Sequence, residues 1–340
     1  MNLTALTHAV ADAPLDADHI EAAVAALLDE SSGIEPRSGF LEALQRRGPT
    51  GDELAGFARA LLERAVPVPG VPDGCIDVCG TGGDRAGFFN VSTAVLFVAA
   101  GAGARVAKHG NRSITSQCGG ADVLEALGIS ITDGPEDTAR ALEKNGCAFF
   151  FAPHFHPAVK AVAPVRKVLA EKGLPSIFNL LGPLINPARP DFQLVGVYDP
   201  AVITLYASAL HQLGRRAAWV VHGTGPDGLA LDEISPCGPS HIAEPGKPVR
   251  EITPAQLGIP TASPADLLGG DAAHNAAIIR DLLHGSDTGS RREIVLINAA
   301  AALVVCGIAS DLADGIARSA ESIDSGRAWA KLEAMRNTRS

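Results

Sequence analysis

From residue 75 onward, short apolar runs alternate with alanine-rich helical stretches, and that alternation restricts the chain to very few architectures. Strands are predicted over 75–78, 105–107, 147–151, 192–198 and 217–221, with helices over 92–100, 120–127 and 157–170 between them. Strands separated by helix-length segments build βαβ units, in which the strands run parallel in one sheet. The run Ala217-Ala218-Trp219-Val220-Val221 is apolar throughout instead of alternating, as a strand covered by helices on both faces must be. Sheets of this kind bind ligands outside the carboxyl ends of their strands. The turns after Val78, Ala107 and Val221 are therefore expected to converge on one crevice.

Residues 1–68 carry no strand pattern. Helices are predicted over 18–29 and 38–46, and Thr50-Gly51-Asp52-Glu53 has the form of a capping box opening a helix over 54–64. The stretch Val66-Pro67-Val68-Pro69-Gly70-Val71-Pro72 cannot continue a helix and sets a domain boundary near 70. The expected organisation is α/β, with a small helical domain over 1–70 and a larger domain over 71–340 built on a mostly parallel sheet flanked by helices. Helices over 271–283, 291–306 and 310–323 complete it, and there is no internal repeat. Apolar residues make up 46% of the 340, enough for a substantial core. A formal charge of −10 argues against a broad nucleic-acid surface, so any anion must be met by a local basic pocket. The six cysteines, at 75, 79, 118, 147, 237 and 306, form no Cys-x-x-Cys pair and read as reduced, buried thiols. No charged-then-apolar leader opens the chain, and no apolar run reaches the ~18 residues of a membrane span. A cytoplasmic enzyme is the expectation.

Residues that carry chemistry concentrate in 75–128. The turn Gly80-Thr81-Gly82-Gly83-Asp84 has few side chains to bar close approach, so its N–H groups can face an anion. The same turn also serves as a plain strand-to-helix link. It is not a dinucleotide fingerprint, because Arg85 stands where a third glycine is required, and it lacks the Gly-Lys-Ser/Thr ending of triphosphate loops. Asp84 would repel a phosphate unless it meets a metal or a sugar hydroxyl, which points to a sugar phosphate. Asn90-Val91-Ser92-Thr93 opens a wholly apolar helix, where Ser or Thr is the expected cap and free N–H groups offer a second anion site. Lys108, His109, Gly110, Asn111, Arg112, Ser113, Ile114, Thr115 and Ser116 gather two cations, an imidazole, an amide and three hydroxyls into a second turn. Leu231-Asp232-Glu233-Ile234 sets two carboxylates side by side, either merely solvated or suited to Mg²⁺ bridging to a substrate phosphate.

The motifs GTGGD, FNVST, KHGNRSITS, GGADVLEALG, HPAVKAVAPVRK, FNLLGPLINPA and LDEIS occur in this order. Together they resemble the anthranilate phosphoribosyltransferases, along the chain from the first helices to the last. The related pyrimidine nucleoside phosphorylases share a similar lysine-containing glycine loop, but KHGN followed by Ala163-Pro164-Val165-Arg166 resembles the anthranilate enzymes specifically. The resemblance implies a nucleoside phosphorylase-like (class III phosphoribosyltransferase) fold and a homodimer formed through the helical domain, which helices around 170–190 can complete. It implies Mg²⁺-dependent transfer of a phosphoribosyl group from 5-phosphoribosyl 1-diphosphate (PRPP) to the amino group of anthranilate, in tryptophan biosynthesis, with no nucleic-acid or membrane partner. Two other readings stay open: a pyrimidine nucleoside phosphorylase-like enzyme, opposed by Arg166, and a catalytically silent nucleic-acid-binding paralogue, opposed by the acidic balance and the intact Asp232-Glu233 pair.

Residue by residue, the resemblance implies that Gly80, Gly83 and Asp84 hold PRPP, that Asn90, Val91, Ser92 and Thr93 take its diphosphate end, and that 108–116 closes over it as a mobile loop. Phe88 and Gly120 occupy PRPP-contacting positions where a threonine and a serine are common, so each removes one hydroxyl. Gly80, Asn111 and Arg166 match the anthranilate positions, the arginine pairing with the carboxylate. Ser92, Asp232 and Glu233 match the metal positions. No catalytic residue is assigned; His109 either orients a substrate or accepts a proton. Arg166 is expected on a helix whose other face, Val162, Val165 and Leu169, is buried.

Overall fold

Helices at the amino terminus start where a cap and an apolar stripe coincide. In the computed structural model, which describes residues 2–84, 86–113 and 117–338, they are α1 (Leu3–Asp12), α2 (Ala17–Leu28), α3 (Ile34–Arg47) and α4 (Gly51–Leu62). Asn2 and Asp16 cap the first two, and Thr50 with Glu53 forms the anticipated capping box on α4. The Glu53 carboxylate is fully buried, accepts the Leu15 N–H at 2.9 Å and pairs with Arg47, so it ties α4 to α3 and to the α1–α2 connection.

Beyond the proline-rich connector the chain runs β1 (Cys75–Gly80), α5 (Val91–Gly101), β2 (Arg105–Gly110), α6 (Gly120–Ala126), α7 (Pro135–Asn145), β3 (Cys147–Phe151), α8 (Ala152–Phe155), α9 (Ala163–Glu171), α10 (Phe178–Leu181), β4 (Phe192–Gly196), α11 (Ile203–Gln212) and β5 (Ala217–Thr224). These five strands are parallel. Three short antiparallel strands, β6 (Ala230–Leu231), β7 (Ser240–Ala243) and β8 (Arg250–Ile252), extend the sheet in the order β3-β2-β1-β4-β5-β7-β8, with β6 also on β5. Helices α12 (Ala272–Leu283), α13 (Ser290–Val305), α14 (Leu312–Asp324) and α15 (Arg327–Arg336) follow.

Successive sheet residues point to opposite faces, both packed against apolar cores, which is why the central strands are apolar on both faces. Leu194, Trp219 and Val221 join α5, α6 and α12–α15, whereas Val195, Val197, Ala218 and Val220 join α1–α4 and α9–α11. Helix α5 is buried over 93–101, as a helix apolar all round requires. None of the described helices is long and apolar enough to cross a membrane.

The structure departs from the sequence reading in several places. The helix expected over 157–170 is broken: 157–162 is a 3-10 turn, and α9 begins at Ala163 with Pro164 in its first turn, where the missing N–H costs nothing. Helix α7 escapes the periodicity argument because its buried stripe, Thr138, Ala139, Ala141 and Leu142, is small within a charged helix. Strand β2 runs on to Gly110, so Lys108 and His109, expected in a loop, are buried strand residues. The antiparallel strands, of two to four residues, are too short to show a period.

Candidate active site

The turn after β1 meets the acidic turn that follows β6. Backbone pairing fixes the first one, Thr81 N–H donating to Gly196 O at 2.9 Å. Gly82 and Gly83 have φ of +67° and +89°, conformations that a side chain would strain. The acidic turn at 232–233 then crosses the ends of β1, β4 and β5 at a distance that only glycine permits. A Cβ on Gly80 would collide with the Asp232 side chain, one on Gly196 with the Asp232 backbone, and one on Gly223 with Glu233 O. Sequence reasoning found Gly80 but missed Gly196 and Gly223. Fully buried Asn298 on α13 holds the turn from below: its Oδ1 accepts Ile234 N–H at 2.9 Å and its Nδ2 donates to Ile234 O at 3.0 Å.

Asp232 Oδ2 accepts the Gly82 N–H at 2.8 Å, joining the acidic turn to the glycine turn. Three acids share this corner. Burial, and then Asp232, pushes the Asp84 carboxyl up to about 7. Burial also raises Asp232. Glu233 lies well above the usual carboxylate range because it is buried beside Asp232, with Lys108 opposing the shift. Crowded acids that resist ionising together suit a divalent cation, whose charge would relieve the repulsion. No three His, Cys, Asp or Glu side chains among the described residues form a metal cage. The adjacent carboxylates fit Mg²⁺, which takes one or two of them and completes its shell with water and substrate phosphate.

Lys108 threads beneath this corner, its Nζ donating to Val78 O at 2.6 Å and to Ser92 Oγ at 3.1 Å. Glycine at 120 leaves ordinary contact room, since a Cβ there would lie 3.5 Å from Thr93 Oγ1 and 4.0 Å from Lys108 Cε. Gly110 admits no side chain, because its Cβ would stand 2.8 Å from the Phe149 ring. His109 is 6% exposed; burial, then neighbouring His156, depresses its pKa to about 3. Burial thus favours its neutral imidazole. Its Nε2 is buried without a hydrogen-bond partner among the described residues, while its backbone N–H donates to Asp77 Oδ1 at 3.1 Å.

Asn111 and Arg112 are exposed beyond the strand end. The Arg112 guanidinium turns onto α6, pairing with Asp122 at 3.0 Å and with both oxygens of Glu125. Asp122 also accepts the N–H groups of Ser113 at 3.1 Å and Gly119 at 2.9 Å, closing the neck of the turn. Ile114, Thr115 and Ser116 lie outside the described residues. Val91 is buried at the start of α5, and Phe88 forms a bridge with Leu268. The N-cap of α5 is Asn90, and its side chain makes no capping bond. Arg166 stands on α9 with Val162, Val165 and Leu169 buried. It is half-buried, burial lowers its pKa, and it has no hydrogen bond or ion pair to the described residues.

Glycine-turn, lysine and acid groups gathered at the carboxyl ends of parallel strands are matched in known proteins. Residues 73–329 match the glycosyl transferase family, a/b domain. The chain is 50% identical over 301 residues to the anthranilate phosphoribosyltransferase of Moorella thermoacetica, covering 88% of this chain and 86% of the relative. It is 45% identical over 332 residues to that of Rubrobacter xylanophilus, covering 97% and 95%. The crystal structure of anthranilate phosphoribosyltransferase from Thermus thermophilus superimposes with a TM-score of 0.92 at 38% identity over 100% of both chains. That of Saccharomyces cerevisiae in complex with PRPP and Mg gives 0.83 at 28% identity, over 95% of this chain and 92% of the other. With so much of each relative's length covered at such identity, the chain belongs to the anthranilate phosphoribosyltransferase family.

Proposed function

We propose that this enzyme transfers the 5-phosphoribosyl group of PRPP to the amino group of anthranilate, giving N-(5-phosphoribosyl)anthranilate and diphosphate in tryptophan biosynthesis. The observation that carries this reading is the junction of the Gly80–Asp84 turn with the acidic turn through Asp232 and Gly82, with Lys108 beneath both. The ribose–diphosphate bond must lengthen before a weak aromatic amine can attack, so the main task is to stabilise departing negative charge. Thr81 and Gly82 spend their N–H groups on Gly196 O and Asp232, which fixes the shape of the glycine turn in advance, and Lys108 adds positive charge beneath it. Ser92, Asp232 and Glu233 would hold Mg²⁺, which would neutralise charge on the diphosphate. Gly80, Gly83, Asp84 and Asn90–Thr93 face PRPP. Asn111 and Arg166 face anthranilate, Arg166 supplying an unpaired guanidinium from a helix locked by its buried face. Strong general-base catalysis is unnecessary, because the amine becomes acidic only as it bonds to carbon.

The helical domain over 1–70, completed by helices around 170–190, forms the homodimer contact, and the enzyme works in the cytoplasm. Packing of α9 on α3 and of α10 on α4 supports the completion of the helical domain by residues around 170–190. Loss of anthranilate fluorescence that requires both PRPP and Mg²⁺ is the expected result with purified protein. Phosphorolysis of a pyrimidine nucleoside instead, or no turnover together with nucleic-acid binding, would replace this reading.

A further inference from the structure

Asn275 lies on α12, 185 residues from Asn90 in sequence, and is 2% exposed. Its amide is clamped by a single residue's backbone: Oδ1 accepts Gly270 N–H at 2.8 Å, and Nδ2 donates to Gly270 O at 3.2 Å. That bidentate clamp leaves no choice of flip, because exchanging oxygen and nitrogen would set donor against donor and acceptor against acceptor. The second Nδ2 hydrogen is therefore aimed at Asn90 Oδ1, 2.9 Å away. Asn90 in turn donates from Nδ2 to Cys118 O at 3.1 Å. With its oxygen engaged by Asn275 and one hydrogen by Cys118, Asn90 keeps one N–H for a ligand.

We infer that Asn275 is a positioning residue that sets the polarity of Asn90, so that Asn90 presents a hydrogen-bond donor and not a carbonyl oxygen to the anionic end of PRPP. The inference rests on the reading of Asn90 as a PRPP-contacting residue. Cys118 O favours the same orientation, and Asn275 adds the donor that makes the opposite flip, with the oxygen facing the diphosphate, doubly unfavourable. Gly269 makes the clamp possible, since a Cβ there would stand 2.7 Å from both Asn275 Oδ1 and Phe89 Cα.

The test compares wild type with Asn275→Asp, Asn90→Ala and the double variant. Aspartate is isosteric but cannot donate to Asn90, so the Asn90 oxygen either faces a carboxylate or the amide flips and loses its bond to Cys118 O. Asn275→Asp is expected to raise KM for PRPP about ten- to a hundredfold, the scale of a lost hydrogen bond to a charged group, and to leave KM for anthranilate within about twofold. The double variant should be no worse than Asn90→Ala alone, because the effect passes through Asn90. If Asn90→Ala leaves KM for PRPP unchanged, the reading of Asn90 itself fails. If Asn90→Ala raises it but Asn275→Asp does not, or the two effects multiply, the positioning role is overturned. Should Asn275→Asp fail to fold, NMR of the wild-type Asn90 side-chain amide decides the matter. Added inorganic diphosphate should shift one Nδ2 proton while the other stays protected by Cys118 O; equal response of both protons overturns the inference.

Discussion

Replacing Gly196 by alanine isolates the placement of the acidic turn from its chemistry, because no charged group is touched. The added Cβ would stand 3.0 Å from Asp232 Cα and nearer still to its carbonyl carbon and oxygen. An ordinary carbon–carbon separation of about 3.5–4.0 Å requires the Asp232 carbonyl carbon, 2.3 Å from that Cβ, to retreat by at least roughly 1.2–1.7 Å. Such a retreat breaks the 2.8 Å bond from Gly82 N–H to Asp232. A misplacement of about 1 Å costs on the order of a hundredfold in rate, or about 2.7 kcal/mol of barrier. Overpacking costs roughly 1–3 kcal/mol of stability, so the variant should fold with a lowered melting temperature. The assay is kcat/KM from anthranilate fluorescence, with a thermal scan on the same sample. A folded Gly196→Ala enzyme with kcat/KM within about twofold of wild type would refute the argument that this turn must lie against the strand ends.

Arg166→Ala should raise KM for anthranilate about ten- to a hundredfold and leave KM for PRPP alone; an equal change in both would remove Arg166 from the acceptor site. Burial alone would raise the Glu53 carboxyl, but Arg47 and the N–H groups of Leu15 and Thr50 outweigh it and hold the pKa below the ordinary 4.5. A lowered carboxyl stabilises the fold above its unfolded pKa and loses that contribution as pH falls through the folded value. Glu53→Gln is therefore expected to cost about 2 kcal/mol near neutrality and to flatten the acid limb of the unfolding profile; superimposable limbs in pH-dependent denaturation would contradict this. Gly120→Ser places its Cβ in ordinary contact with Thr93 and Lys108, with a hydroxyl beyond it. It should lower KM for PRPP by roughly two- to tenfold, and a raised KM would show that the glycine is required.

Sequence alone determined what depends on local chemistry. Strand and helix alternation from residue 75 dictated a parallel sheet, because a right-handed crossover through a helix is how consecutive parallel strands join. The Thr50 and Glu53 capping box, the glycine turn at 80–84 and the buried face beneath Arg166 were legible because each is a short pattern with its own physical cause. Tertiary structure decided what depends on partners distant along the chain. Lys108 looked like a loop cation because nothing local shows that Val78 O and Ser92 Oγ receive its ammonium inside the protein. Gly196 and Gly223 looked like ordinary strand residues, since the backbone that crosses them arrives only with Asp232 and Glu233. Asn275 gave no sign at all. Its meaning is the hydrogen bond to Asn90, and a buried amide acquires direction only when the fold supplies the groups on either side of it.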